Sequence, residues 1–260
     1  MDNRPIGMFD SGVGGLTVYK EVKKNMPQEQ IIYLGDTQRF PYGSKTKETI
    51  IELSKNNIEF LLKKNVKAIV IACGTATSQA LDTVKEIYKI PIIGIIDPTV
   101  QYVKSKGIKK IGVIATRGTI KSGSWERNLK KADSSIEIQS KACPLLAPMA
   151  EEGWTENDIA RLTIKEYLKG FKDIDALILG CTHYPMYEKI IREEMPNVEI
   201  INTGTVIAKY LESITDGKGN GDPDEFYLTD TECNFLNVSN NINKIPITMQ
   251  TSAILKIGKS

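Results

Sequence analysis

The side chains best suited to chemistry in this 260-residue sequence are two cysteines and the only histidine. Cys73 follows the apolar run 67–72, and Cys181 follows the apolar run 175–179, with His183 two residues later. A thiolate is both a base and a nucleophile, and an imidazole beside it can accept or return its proton. We therefore expect the chemistry of the chain at these two positions.

If the fold brings Cys73 and Cys181 to opposite sides of one ligand, the two thiols permit several reactions. A redox disulfide is disfavoured, because the sequence lacks the Cys-x-x-Cys spacing typical of such sites. A thiolate on one face of a carbon atom and a thiol on the other can remove one proton and return another, which inverts a stereocentre. A hydrolase that uses Cys181 as nucleophile and His183 as base is the competing interpretation. That interpretation leaves Cys73 without a purpose.

Each thiol needs a neighbour to handle its proton, since only a few per cent of a free cysteine is thiolate at neutral pH. We expect Asp10, which follows another apolar run, to assist Cys73, and His183 to assist Cys181. Structural alternatives stay open at this point. A cysteine after a strand is often a small buried apolar residue, an Asp before Ser-Gly is often an N-cap or Asx turn, and a histidine is often a packed one.

Short apolar runs alternate with helical patterns along the chain. Most runs lack polar alternation, which is typical of strands buried on both faces of a parallel sheet. The predicted strands cover residues 6–9, 30–34, 67–72, 91–96, 110–114, 137–141, 175–179, 198–201 and 225–228. Apolar side chains at helical spacing predict helices over residues 46–64 and 155–172. The predicted fold class is α/β with right-handed crossovers.

An internal repeat divides the chain, because three pairs of segments match in the same order at an interval of about 105 residues. The pairs are 6–10 with 111–115, 68–73 with 176–181, and 93–97 with 198–202. The repeat predicts two similar parallel-sheet α/β lobes related by internal duplication. The first lobe comprises residues 1–97 with 206–260, and the second comprises residues 98–205.

The active site is predicted at the interface of the two lobes, because ligands of open parallel sheets bind beyond the carboxyl ends of the strands. Cys73 and Cys181 occupy equivalent strand ends and meet there. Further polar candidates just past strand ends are Ser11, Asp36, Thr75, Asp97, Thr116, Cys143 and Thr182. The glycine run 12–15 is expected to offer backbone N–H groups to a substrate carboxylate, with a tight strand–helix turn as the structural alternative. Residues 41–43 are expected to form a loop over the crevice.

Composition excludes several classes of protein. Basic and acidic residues number 34 and 32, so a nucleic-acid binder held by phosphate contacts is disfavoured. The apolar stretches fall far short of the ~18 residues of a membrane span, and no apolar signal region follows the first residues. We therefore expect a cytoplasmic chain without a membrane partner.

The four cysteines should be free thiols in that reducing compartment, with Cys143 and Cys233 as structural residues. One histidine and scattered carboxylates offer no spacing for a metal site. The sequence also contains no Walker-type loop and no recognisable lysine setting for pyridoxal phosphate. We expect a reaction on a small-molecule substrate without metal or cofactor.

Two motifs, Asp-Ser-Gly-Val-Gly-Gly at 10–15 and Gly-Cys-Thr-His-Tyr-Pro at 180–185, stand within a longer match over residues 6 to about 205. On these residues the sequence resembles the glutamate racemases, in the wider family of aspartate and hydantoin racemases. The resemblance implies cofactor-independent interconversion of L- and D-glutamate by two-base proton transfer. It also implies a supply of D-glutamate for cell-wall peptidoglycan, and a homodimer.

The resemblance implies that Cys73 and Cys181 are the acid/bases and that Asp10 and His183 assist them. The substrate-binding residues that it implies are Asp10, Ser11, Tyr42, Gly43, Gly74, Thr75, Glu151, Thr182 and His183. At position 74 the family carries Asn, and the missing amide removes a hydrogen bond of roughly 0.5–1.5 kcal/mol. Two alternatives stay open for this reason: a racemase of another acidic amino acid, and a non-catalytic ligand-binding relative.

Overall fold

Parallel strands form two sheets in the computed structural model, which describes residues 2–215, 219 and 221–230. The strands are β1 (Ile6–Asp10), β2 (Ile31–Gly35), β3 (Ala68–Ile71), β4 (Ile92–Gly94), β5 (Lys110–Ala115), β6 (Glu137–Ala142), β7 (Ala176–Leu179), β8 (Glu199–Asn202) and β9 (Glu225–Leu228). All the predicted strands are present. Cys233, predicted to be structural, lies outside the described residues.

The same strand order occurs in both sheets. The first sheet runs β4-β3-β1-β2-β9 and the second runs β6-β5-β7-β8, and all pairs are parallel. When β5 to β8 are matched with β1 to β4, the order is identical, and β9 adds an edge strand to the first sheet. The prediction of two similar parallel-sheet lobes is confirmed.

Burial of the strands follows their place in the sheet. Every residue of β1, β3 and β7 is buried, as their unbroken apolar sequences predict. The edge strand β6 is different, because Glu137, Gln139 and Lys141 alternate with less polar residues and the whole strand is partly exposed. The expectation of double burial is wrong for this strand.

Helices cover the faces of both sheets. They are α1 (Leu16–Asn25), α2 (Lys47–Leu62), α3 (Gly74–Ile87), α4 (Ile96–Lys106), α5 (Arg117–Ser122), α6 (Ser124–Ala132), α7 (Leu146–Glu151), α8 (Asp158–Leu168), α9 (Glu188–Glu194) and α10 (Thr203–Ile214). The two predicted helices correspond to α2 and α8, which begin where Thr46 and Asn157 cap them through their side chains. No described helix is long and apolar enough to cross a bilayer.

The two sheets share one apolar core. Met8 and Val70 of the first sheet belong to the same buried cluster as Val113 and Ile178 of the second. Helix α10 packs against α1 and α4, and β9 pairs with β2. These contacts place the residues after β8 beside the first sheet, while the exact division of the chain into lobes stays a prediction. The shared core fixes how the strand ends of the two sheets face each other.

Candidate active site

A cavity of about 110 Å³ lies where chain segments following β1, β3, β5 and β7 converge. Nine of the predicted site residues line it, namely Ser11, Tyr42, Gly43, Cys73, Gly74, Thr75, Cys181, Thr182 and His183. Asp10 and Glu151 lie behind this lining and reach it through neighbouring side chains. The repeat thus brings both cysteines to one enclosed space.

Cys73 is the N-cap of α3, a position set by the sharp change from strand to helix after Ala72. Its Sγ accepts a hydrogen bond from the amide of Ala76 at 3.5 Å, and its thiol contacts Ser11 Oγ at 3.6 Å. Burial raises the pKa of Cys73 to about 12, and the nearby Asp10 charge acts in the same direction. Cys73 is therefore a protonated thiol at neutral pH.

Cys181 is followed by a tight turn instead of a helix, and this turn places His183 beside it. Cys181 Sγ lies 3.8 Å from His183 Nδ1, and His183 Nε2 lies 2.7 Å from Glu151 Oε1. Burial disfavours the charged ring, but the hydrogen bonds with Cys181 and Glu151 outweigh it and raise the pKa of His183 well above its ordinary value. A protonated ring places a positive charge beside the Cys181 sulfur atom.

Asp10 connects the lobes and does not hydrogen-bond Cys73. Its Oδ2 accepts a hydrogen bond from the amide of Gly12 at 3.1 Å, and its Oδ1 accepts one from Thr182 Oγ1 at 3.2 Å. Burial raises the pKa of Asp10, against the opposing effect of the His183 charge. The Gly12 bond is the Asx-turn interaction that the sequence allowed as a structural alternative, so the carboxylate acts on Cys73 through its charge.

The glycine run after β1 accommodates the histidine. The amide of Gly12 bonds to Asp10, and the amide of Val13 donates to Glu151 Oε1 at 3.3 Å. A Cβ atom on Gly14 would lie 2.5 Å from His183 Nδ1, so only glycine leaves room for the ring. The expectation that this run offers its N–H groups to a substrate is wrong for Gly12 and Val13, because protein carboxylates occupy them.

Residues 41–43 form part of the cavity wall and not a loop that lies over the crevice. Tyr42 is buried at the start of a short helical turn, where its hydroxyl bonds to Asp36 and accepts a hydrogen bond from Asn57 Nδ2 at 3.0 Å. On the same side of the cavity, the hydroxyls of Thr75 and Thr116 lie 2.9 Å apart and join the two lobes. These contacts close one wall of the cavity.

Two other strand-end candidates lie away from the cavity. Asp97 is half-exposed on α4, where it pairs with Lys85 at 3.6 Å, because β4 ends early and α4 begins before this residue. The expectation that Asp97 belongs to the site is wrong. Cys143 is buried outside the lining, and its carbonyl accepts a hydrogen bond from the Tyr184 hydroxyl at 2.7 Å.

Nowhere in the described part of the chain do three or more His, Cys, Asp or Glu side chains cluster as metal ligands would.

Sequence reasoning did not name several of the lining residues as candidates. They are Phe40, Ser44, Arg117, Pro144, Ala147 and Pro148. The Phe40 ring stacks at a tilt on His183, with 5.5 Å between ring centroids. Arg117 directly follows the strand-end candidate Thr116, and this position was the one feature of the sequence that could have placed it in the lining. The apolar members lower the local polarity of the cavity wall, which strengthens electrostatic effects between its charged groups.

Gly74 lies very close to the backbone of the second lobe. A Cβ atom at this position would lie 2.2 Å from the carbonyl oxygen of Gly180, which is a backbone atom and cannot rotate away. The absent side chain therefore lets the turn after β3 approach the turn after β7. Gly74 has a packing role here that its sequence context did not reveal.

Comparison with known proteins relates the chain to one family. Residues 6–211 match the Asp/Glu/Hydantoin racemase family. A glutamate racemase of Sulfurihydrogenibium sp. is 50% identical over 214 residues, covering 81% of this chain and 82% of that protein. The crystal structure of glutamate racemase from Francisella tularensis in complex with D-glutamate superposes with a TM-score of 0.89 at 39% identity, covering 96% and 97% of the two chains. The glutamate racemase structure from Aquifex pyrophilus gives a TM-score of 0.79 at 42% identity, covering 92% and 94%.

Adding a methyl group at position 74 should destabilise the fold. Helix propensity alone predicts that Gly74→Ala stabilises the protein by roughly 0.5–1 kcal/mol. Collision with the Gly180 carbonyl predicts the opposite sign, a loss of about 1–3 kcal/mol. The free energy of unfolding measured in urea decides between them. A variant as stable as the wild type would show that the two turns are not held in contact.

The charge of His183 should depend on Glu151. Because the chain has a single histidine, the Cε1 proton of the untagged protein gives one NMR signal whose titration reports this ring alone. The wild-type ring should stay protonated above the ordinary histidine pKa. In Glu151→Gln the pKa of His183 should fall by about one unit or more. Glu152→Gln removes the same charge from an exposed neighbour and should leave the titration unchanged; equal effects of both variants would contradict the assignment.

Proposed function

This chain belongs to the Asp/Glu/Hydantoin racemase family, and from that premise we propose that it interconverts L- and D-glutamate by a two-cysteine proton transfer without a cofactor. The observation that carries the proposal is the placement of Cys73 and Cys181 at equivalent strand ends, where both line one cavity and have different polar neighbours. The choice of glutamate follows the names of the relatives, among them a structure that binds D-glutamate.

The proposed reaction begins with an amino acid held between the two sulfur atoms. The Cys181 thiolate takes the proton from Cα and becomes a thiol, and the electron pair of the broken C–H bond stays on the carbon and its carboxylate. The Cys73 thiol then gives its proton to the opposite face of Cα and becomes a thiolate. The enantiomer leaves, and the reverse reaction runs through the same groups with their roles exchanged.

Glu151 and Asp10 act in this proposal as positioning residues. Glu151 holds the His183 ring from behind, so that its other nitrogen faces Cys181. Asp10 orients Thr182 and adds negative charge near Cys73, which keeps the Cys73 proton in place until the carbanion forms. The two cysteines are therefore assisted by different means, a cation at one and an anion at the other.

The hydroxyls and backbone N–H groups of the lining suit the carboxylates of an acidic amino acid. We assign substrate contacts to Ser11, Thr75 and Thr182, with Tyr42 and the adjacent Gly43 closing the wall beside them. The supply of D-glutamate for peptidoglycan and assembly as a homodimer stay predictions that accompany this assignment.

Exchange of the α-proton tests the proposal directly. Incubation with L-glutamate in D₂O should give α-deuterated glutamate and loss of optical activity. Cys73→Ser and Cys181→Ser should each lower the racemisation rate by at least about 100-fold, within the range typical of acid–base groups. Cys143→Ser removes a buried thiol that does not line the cavity and should keep wild-type activity.

The outcomes separate the competing assignments. Full activity of either cavity variant would overturn the two-thiol mechanism. Exchange with aspartate in place of glutamate would indicate another acidic substrate. Thermal stabilisation by glutamate without any exchange would indicate a non-catalytic binding protein, and so would contradict the proposed enzyme.

Replacing the histidine should affect the two reaction directions unequally. In His183→Asn the cation beside Cys181 is lost, so proton abstraction by Cys181 becomes harder than abstraction by Cys73. The equilibrium constant between enantiomers is unity, so kcat/KM falls equally in both directions. The asymmetry should appear in the primary isotope effects on kcat for α-deuterated L- and D-glutamate, with a larger effect in the direction that starts from Cys181. Equal isotope effects would contradict the separate roles of the two cysteines.

A further inference from the structure

Arg117 is an unexplained cation at the candidate active site. Of the described residues that line the cavity, it is the only lysine or arginine, and none of them is Asp or Glu. Glu151 pairs with the other basic side chain, His183, and the proposed thiolate of Cys181 lies beside that same ring. Arg117 has no acidic side chain beside it in the described lining, and such a guanidinium attracts an anionic ligand.

The guanidinium of Arg117 is available for a ligand. Arg117 is exposed, and its side chain forms no ion pair or hydrogen bond with any residue in the described part of the chain. Its charge acts on the phenol of Tyr167, which places it near the rim formed by the second lobe.

The backbone under Arg117 is held in place. It is the first residue of α5, and the preceding Thr116 caps that helix by accepting a hydrogen bond from the amide of Thr119 at 3.2 Å. Thr116 also bonds to Thr75 of the first lobe. The side chain therefore starts from a fixed point on the cavity wall, and only its own rotamers remain to be ordered by a ligand.

We propose that Arg117 binds the side-chain carboxylate of a dicarboxylic amino acid and so selects acidic over neutral substrates. The inference rests on the proposed function, which it deepens. A guanidinium offers a planar pair of N–H donors that matches a carboxylate, and such charge-assisted bonds are stronger than neutral ones. The hydroxyls of the lining hold the other polar groups of the substrate, while Arg117 distinguishes the second carboxylate.

A neighbouring basic cleft provides the matched control. Lys45, Lys121 and Arg127 line this separate cleft on the far side of Gly118. A Cβ atom on Gly118 would lie 3.0 Å from the carbonyl oxygen of Gly43, so two backbone segments in close contact stand between cleft and cavity. Lys121 belongs to the same helix as Arg117 and carries the same charge, but it does not line the cavity.

The test compares Arg117→Gln, Arg117→Lys and Lys121→Gln with the wild type. Arg117→Gln should raise KM for both enantiomers of glutamate at least tenfold and change kcat less than about threefold, because the cysteines are untouched. Inhibition by glutarate, which has two carboxylates, should weaken by a similar factor, while inhibition by butyrate, which has one, should not change. Arg117→Lys should recover part of the loss, and Lys121→Gln should change KM less than twofold.

The results separate this inference from the proposed function. A wild-type KM in Arg117→Gln, or an equal rise in Lys121→Gln, would overturn the role of Arg117 and leave the racemase assignment intact. A wild-type protein that neither racemises glutamate nor exchanges its α-proton would overturn the proposed function. In that case thermal stabilisation by glutarate, lost in Arg117→Gln and kept in Lys121→Gln, still decides whether Arg117 binds a dicarboxylate.

Discussion

The contact between the two lobes is the constraint on which the rest of this structure depends. A carbon atom can be attacked from both faces only if each lobe presents its thiol to the same small space. Hydrogen bonds from Thr182 to Asp10 and from Thr17 to the Thr182 carbonyl fix one side of that contact. The Thr75–Thr116 bond fixes another. An apolar core that continues across both sheets supports these bonds, and the two made by Thr182 are themselves buried.

Duplication of one fold unit supplies the symmetry, and local sequence then breaks it. Cys73 caps a helix, whereas Cys181 precedes a tight turn that carries His183. Burial leaves Cys73 with its proton, while the His183 ring places a positive charge beside Cys181. The glycine run after β1 completes this arrangement, since the ring of His183 occupies the space that a Cβ atom on Gly14 would need. The first lobe thus shapes the chemistry of the cysteine in the second.

Most of the fold followed from sequence, but side-chain direction did not. Apolar runs identify β1 to β9, because buried parallel strands have a simple pattern, and the repeat predicts two similar lobes. The same pattern places Cys73 and Cys181 at strand ends. It wrongly included Asp97, because the early start of α4 turns that residue outward. The pattern could not show that Glu151 lies behind the cavity lining or that Arg117 is part of it. Such placements depend on rotamers and on packing between distant elements.

The structural effect of glycine at position 74 depends on the residues around it. Considered alone, glycine in place of the family's Asn is the loss of one amide. In the structure the same glycine allows the Gly180 carbonyl to approach, and an Asn side chain has no room at this backbone position. Without that amide, another group of the lining can hold an acidic ligand, and a charged donor forms stronger bonds than an amide. Arg117, on the opposite lobe, is a lining residue with that capacity. In the proposed reaction, His183 acts on the cysteine and Arg117 acts on the ligand.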